Sequence, residues 1–314
     1  MNEFQMAAVG LLLLLFAGDA LVRGAVNLSL RLGVPALIVS LTIVAFGTSA
    51  PELLISIQSI LDGVPGIAIG NVVGSNTANI LLVLGVPALL AGLFTQGTDT
   101  RKNFTMMIAA SLLFIILCFF GPLTIWHGLI LLFGLAYMLW DAFREAQGHM
   151  RFGETEPEGA DPSMRGWKIA FFLIAGLIGL PLGASLLVDG SVVIARDFGV
   201  SETVIGLTLI AIGTSLPELA TTIMAAYRRS ADVALGNVIG SNVFNLLAII
   251  GISSLVGPIP VPPEFLWLDL WVMLGASLLL TPIVLYNQKI GRRWGVVLVG
   301  LYIAYLWMIL HLGG

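Results

Sequence analysis

The sequence predicts an all-α integral membrane protein of ten transmembrane helices, built as two inverted five-helix repeats with broken core helices. Three observations lead there. First, 58% of the 314 residues are hydrophobic, only 10% are charged and the mean hydropathy is +1.02. A water-soluble domain of this length cannot hide so much apolar surface. Second, residues 45–85 and 211–251 align without a gap at an offset of 166, with 18 identities in 41 positions. Third, the basic residues segregate to one side of the membrane in opposite senses in the two halves.

A helix needs about 20 apolar residues to cross a bilayer. Ten segments qualify, at about 5–28, 34–60, 64–94, 104–120, 122–143, 167–195, 200–226, 231–256, 265–286 and 294–311. The first resembles a signal peptide over Leu11 to Leu15, but its start carries Glu3 and no basic residue. It also aligns weakly with the sixth: Leu21, Val22, Gly24, Val26, Gly33 and Val34 recur as Leu187, Val188, Gly190, Val192, Gly199 and Val200. It is therefore read as a mature helix.

Five helices enter on one side and leave on the other, so a second copy must insert upside down. With both termini outside, 13 of the 14 Lys and Arg residues lie at cytoplasmic ends or loops, and only Arg196 lies outside. The turn Asp62-Gly63 in repeat one has no basic residue, whereas the matching turn in repeat two is Arg228-Arg229. The chain then divides into a first five-helix repeat (1–143, duplicated motif 45–85), a cytoplasmic acidic linker (144–166) and a second, inverted repeat (167–314, motif 211–251). In the linker Glu154, Glu156, Glu158 and Asp161 sit among Gly and Pro, which reads as a solvated connection. No D-x-D-x-DG calcium loop is present there.

What repeats is polar. Gly47-Thr48-Ser49-Ala50-Pro51-Glu52 recurs as Gly213-Thr214-Ser215-Leu216-Pro217-Glu218. Pro51 has no N–H for the carbonyl four residues back, so the helix is expected to break and loosen backbone oxygens beside the hydroxyls. Glu52 follows Thr48 by four residues and Ser49 by three, so the three are expected to share a face. Non-helical backbone at membrane depth is tolerated where it is buried in protein or lines a wet cavity. Asn71, Ser75 and Asn79 form a polar stripe on the next helix, matched by Asn237, Ser241 and Asn245. Gly70 and Gly74, with Gly236 and Gly240, allow close helix approach. Asn71, Asn76, Asn237 and Asn242 fit equally well as interhelical glue.

Carboxylate, hydroxyl and carbonyl oxygens without sulfur or imidazole suit a hard cation such as Ca²⁺ or Na⁺. The core segments contain no Lys or Arg to balance Glu52 and Glu218. The single Cys118 excludes an intrachain disulfide, and His127, His149 and His311 lie near helix ends or in a loop. Net charge is −4 without a basic patch, so nucleic acid is not an expected partner.

These paired motifs, GTSAPE with GNVVGSNTAN and GTSLPE with GNVIGSNVFN, resemble the two alpha-repeats of the calcium/cation antiporters, and within them the prokaryotic type of sodium/calcium exchanger. The resemblance covers almost the whole chain. It implies four cation sites clustered between the repeats, with ligands at Ala45 (carbonyl), Thr48, Ser49, Glu52, Ser75 and Asn79, and at Ala211 (carbonyl), Thr214, Ser215, Glu218, Ser241 and Asn245. It also implies that the first and sixth helices slide across a rigid core. Some members, including potassium-dependent ones, have Asp where this chain has Asn245, so the site here carries at most two formal negative charges.

Two glutamates neutralise one Ca²⁺ or two Na⁺, and adding both sets would leave excess charge in a low dielectric. Mutually exclusive occupancy would then enforce exchange by alternating access. No catalytic residue and no cofactor are expected. Ca²⁺ and Na⁺ are cargo, protons are expected competitors for the carboxylates, the lipid bilayer is the surroundings and no obligate protein partner is inferred. The expected location is a prokaryotic cytoplasmic membrane. The alternatives are a Ca²⁺/H⁺ antiporter on the same scaffold, a cation channel, which cannot counter-transport, and an intramembrane enzyme, for which no nucleophile or metal-ligating His accompanies the glutamates.

Overall fold

The computed structural model describes residues 2–93, 100–152, 161–199, 211–286 and 288–312, all in helices and short connections apart from two isolated backbone pairs. The elements are α1 (Glu3–Leu32), α2 (Ala36–Thr48), α3 (Ala50–Leu61), α4 (Gly66–Leu90), α5 (Arg101–Cys118), α6 (Ile125–Phe152), α7 (Gly166–Asp197), α8 (Leu216–Tyr227), α9 (Ala231–Val256), α10 (Phe265–Leu285) and α11 (Arg292–Leu312). A short turn, Ala211–Gly213, precedes α8. Among the described residues eight helices are long and apolar enough to cross a bilayer, and α2 with α3 makes a ninth, bent by 40°. The expected seventh span, 200–226, lies in part on residues 200–210, outside the described set. Two expected boundaries move. Helix α6 runs on to Phe152, past the expected end of the apolar span at 143. Helix α1 likewise continues to Leu32, where Gly33 caps it in the left-handed conformation. Glu154, Glu156 and Glu158 lie outside the described residues.

The helices sort into an outer shell and a buried centre. Large apolar side chains such as Phe16, Phe133, Ile178, Leu182 and Ile303 are exposed, as a lipid-facing surface requires. Helices α4 and α9 are the most enclosed, with Val72, Ile80, Val83, Val238, Leu246 and Ile250 in one core. The long helices α1 and α7 pack along each other. A Cβ at Gly176 would lie 2.6 Å from Leu21 Cβ, and one at Gly190 would lie 2.6 Å from the Glu3 carbonyl. Glycine lets the two backbones approach this closely. The two repeats are also stapled to each other by backbone pairs. Leu93 exchanges hydrogen bonds with Ile290 (2.9 and 3.0 Å), and Leu123 does so with Ile259 (2.8 and 2.9 Å).

Ion pairs tie neighbouring helices together. Asp19 on α1 pairs with Arg23 and with Arg228 at the end of α8. Lys102 on α5 pairs with Asp141 and Glu145 on α6. The linker's described end docks on α1, where the Asp161 N–H donates to Asn27 Oδ1 (2.8 Å). The Asp161 carboxylate accepts the Ser163 N–H and hydroxyl, which hold it below the usual carboxylate range.

Candidate cation site

The site forms where the two proline breaks meet between α4 and α9. Ser49 (φ −85°, ψ 4°) and Ser215 (φ −87°, ψ 3°) take nearly the same non-helical conformation, one residue before the helices that carry Pro51 and Pro217. Each proline lies in the first turn, where a missing N–H costs least. Glu52 and Glu218 therefore project from the first turns of α3 and α8, and each is 1% exposed. The Ser49 hydroxyl, three residues before Glu52, reaches Glu218 and so brings the two glutamate-bearing breaks together.

The break redirects the hydroxyls. Thr48 and Ser49 were expected to share a face with Glu52. Instead the Ser49 hydroxyl donates to Glu218 Oε1 (3.1 Å), across the repeat boundary. The Thr48 hydroxyl reaches Asn237 Oδ1 (3.2 Å) and lies 3.5 Å from the Ser241 hydroxyl. The bend between residues 48 and 50 takes these side chains off the 100° helical step and aims them at the opposite repeat. The Ala45 carbonyl accepts its regular bond from the Ser49 N–H (3.1 Å) and a second from Thr48 Oγ1 (3.3 Å). In repeat two the Ser215 N–H instead bonds the Ile212 carbonyl (3.0 Å), one residue past Ala211.

The stripes on α4 and α9 complete the site. Asn71 Nδ2 donates to the Glu52 carbonyl and to Ser56 Oγ, both at 3.2 Å. Its counterpart Asn237 donates to the Glu218 carbonyl (3.3 Å) and to Thr222 Oγ1 (3.2 Å). These asparagines brace the glutamate-bearing helices. Asn79 and Asn245 each start a π-helical stretch, Asn79–Val83 and Asn245–Ile249. Such wide turns recur at functional sites. Ser75 and Ser241 are buried on the same stripes, and Thr214 is half-buried.

The decisive observation is what these groups leave unpaired. Among the described residues the buried side-chain atoms without a hydrogen-bond partner are Glu52 Oε2, Glu218 Oε2, Asn79 Oδ1, Asn245 Oδ1, Ser215 Oγ and Ser253 Oγ. All are oxygens, and all but Ser253 Oγ belong to the duplicated motifs. A buried polar atom without a partner costs about 1–3 kcal/mol, more if charged, so several together need an explanation such as a bound ion. Two carboxylates with neutral oxygens offer a hard cation what it requires.

Known proteins agree. The model of the family described as "Sodium/calcium exchanger protein" matches residues 3–142 and 168–311, which covers both repeats. The chain belongs to the sodium/calcium exchanger family. It is 36% identical over 308 residues to the putative antiporter CaxA of Alkalimonas amylolytica, covering 96% of each chain. It is 33% identical over 346 residues to the sodium/calcium exchanger MaX1 of Methanosarcina acetivorans, covering 99% of each. A solved structure of the sodium-calcium exchanger NCX_Mj superposes with a TM-score of 0.82 at 32% identity, covering 98% of each chain.

Sequence reasoning missed one part of this family member's site. Met107 on α5 and Met273 on α10 are fully buried and receive the side-chain amides of Asn242 and Asn76, each at 3.7 Å. They too stand 166 residues apart. The duplicated stretch ends before either of them, so only a search of the flanking helices at that offset finds them.

Proposed function

We propose that the chain is a secondary-active antiporter that exchanges Na⁺ for Ca²⁺ by alternating access, with the two ions occupying one midplane site in turn. The observation that carries this reading is the convergence of Glu52 and Glu218, from inverted repeats, with unpartnered oxygens and no Lys or Arg among the core segments. Buried carboxylates require a countercharge, and the transported cation supplies it. In this reading Glu52 and Glu218 bind Ca²⁺. Thr48, Ser49, Ser75, Thr214, Ser215, Ser241, Asn79 and Asn245, with the carbonyls of Ala45 and Ala211, add neutral oxygens. One Ca²⁺ or two Na⁺ balances the two negative charges, so only loaded states cross without net charge in a low dielectric. The protein sits in a prokaryotic cytoplasmic membrane with both termini outside.

The driving ion is the finer point. Carboxylates that take Na⁺ also take protons, and the chain is 27% identical over 260 residues to the Ca²⁺/H⁺ antiporter ChaA of Bacillus subtilis. Vesicles containing the purified protein separate the two. With pH clamped, an outward Na⁺ gradient is expected to drive ⁴⁵Ca²⁺ uptake. Uptake that ignores Na⁺ but follows a pH gradient would reassign the coupling to protons.

A further inference from the structure

Four buried asparagines and two methionines form one layer between the repeats, and two members of that layer do not face the site. Asn76 Nδ2 donates to the backbone carbonyl of Asn242 (3.3 Å), and Asn242 Nδ2 donates to the backbone carbonyl of Asn76 (3.3 Å). A backbone carbonyl only accepts. Each of these amides is therefore fixed with nitrogen toward the other chain segment and with oxygen turned away. Met273 and Met107 sulfurs, weak acceptors, back the same nitrogens.

The fixed oxygens then dictate the next pair. Asn76 Oδ1 accepts from Asn245 Nδ2 (3.1 Å), and Asn242 Oδ1 accepts from Asn79 Nδ2 (3.0 Å). With their nitrogens held there, Asn245 and Asn79 have only their Oδ1 atoms left to turn inward. Those are two of the buried, unpartnered oxygens. A freely turning amide would present –NH₂ to a cation about as readily as oxygen, and an N–H repels a cation.

We propose that Asn76 and Asn242 are positioning residues: they hold the amides of Asn245 and Asn79 oxygen-inward and so raise cation affinity without touching a cation. The orientation traces back to two backbone carbonyls, which cannot flip, and not to the asparagine pair alone. This inference rests on the reading of Asn79 and Asn245 as cation ligands.

A double-mutant cycle on the purified full chain tests it, with equilibrium ⁴⁵Ca²⁺ binding and Na⁺ competition as readouts. Asn76→Ala is expected to weaken Ca²⁺ binding roughly tenfold, the scale of one net hydrogen bond. In an Asn245→Ala background the same substitution should change binding by less than about twofold, because there is no amide left to orient. The melting temperature of cation-free protein should fall in both backgrounds, and less in Asn245→Ala, where the bond to Asn76 Oδ1 is already absent. An equal loss of Ca²⁺ affinity in both backgrounds would overturn the proposal, since Asn76 would then act by another route. An effect of Asn245→Ala with none from Asn76→Ala would overturn it while leaving the ligand reading intact. Unchanged binding in Asn245→Ala itself would overturn the ligand reading, and this inference with it. Should Asn76→Ala not fold, Asn242→Ala against Asn79→Ala runs the same cycle in the other repeat.

Discussion

The asparagine layer and the proline breaks belong to the same duplicated motifs, yet the layer's side-chain bonds repeat in both copies while the serine hydroxyl contacts at the breaks do not. In the layer the reciprocal bonds are 3.3 and 3.3 Å, the bonds to the inward-facing amides 3.0 and 3.1 Å, and the methionine contacts 3.7 and 3.7 Å. At the breaks the copies part. Thr48 is 1% exposed, whereas Thr214 is half-buried. Ser49 donates to the other repeat's glutamate, whereas Ser215 Oγ has no partner among the described residues. The layer joins the repeats through bonds that are the same in both directions. The serine hydroxyl contacts at the breaks differ between the copies, so this is where the two repeats part.

The largest effect should come from what both regions serve. Glu52→Gln and Glu218→Gln are each expected to abolish Ca²⁺ transport in vesicles, because one remaining carboxylate cannot neutralise a divalent cation in low dielectric. Substantial transport in either variant would break the equivalence of the two copies. Next comes the contact that lets α9 lie against α2. A Cβ at Gly240 would stand 2.6 Å from Ala45 Cβ and from the Leu41 carbonyl. Gly240→Ala should therefore destabilise the protein by about 1–3 kcal/mol, as overpacking does, read as a lower melting temperature.

The hydroxyls sharpen the comparison further. Ser49→Ala removes a buried hydrogen bond to a carboxylate and should lower cation-free stability by about 1–3 kcal/mol. Ser215→Ala removes an unpartnered oxygen and should leave cation-free stability nearly unchanged while weakening stabilisation by added Ca²⁺. Equal losses without cation would show the breaks to be symmetric after all. The smallest effect concerns the matching turns. Gly63 takes φ 77° and its counterpart Arg229 takes φ 57°. A left-handed conformation costs a side-chain-bearing residue about 1 kcal/mol. Arg229→Gly should then raise stability by somewhat less than that, since glycine adds freedom to the unfolded chain.

Much of this was legible in the sequence because the membrane and the duplication constrain it tightly. The apolar runs placed the helices, Pro51 and Pro217 marked the breaks, and the offset of 166 paired the polar residues before any contact was known. Other features follow from three-dimensional arrangement. Periodicity put Thr48 and Ser49 on the face of Glu52, but the break that the proline creates also ends that periodicity, so their hydroxyls cross to the other repeat. Asn76 and Asn242 read as glue because a side chain's spacing does not reveal which of its atoms is held. The continuation of α6 through Phe152 was hidden because charged and polar residues from Arg144 onward end the apolar run without ending the helix.

The central claim is one cation site assembled from both repeats and used by one set of ions at a time. Equilibrium ⁴⁵Ca²⁺ binding to the purified protein, titrated with Na⁺ and repeated for Glu52→Gln and Glu218→Gln, tests it most directly. The account predicts one Ca²⁺ per chain, displaced fully by Na⁺ and lost in each variant. Ca²⁺ that stays bound at saturating Na⁺, or that binds as tightly in either variant, would contradict it.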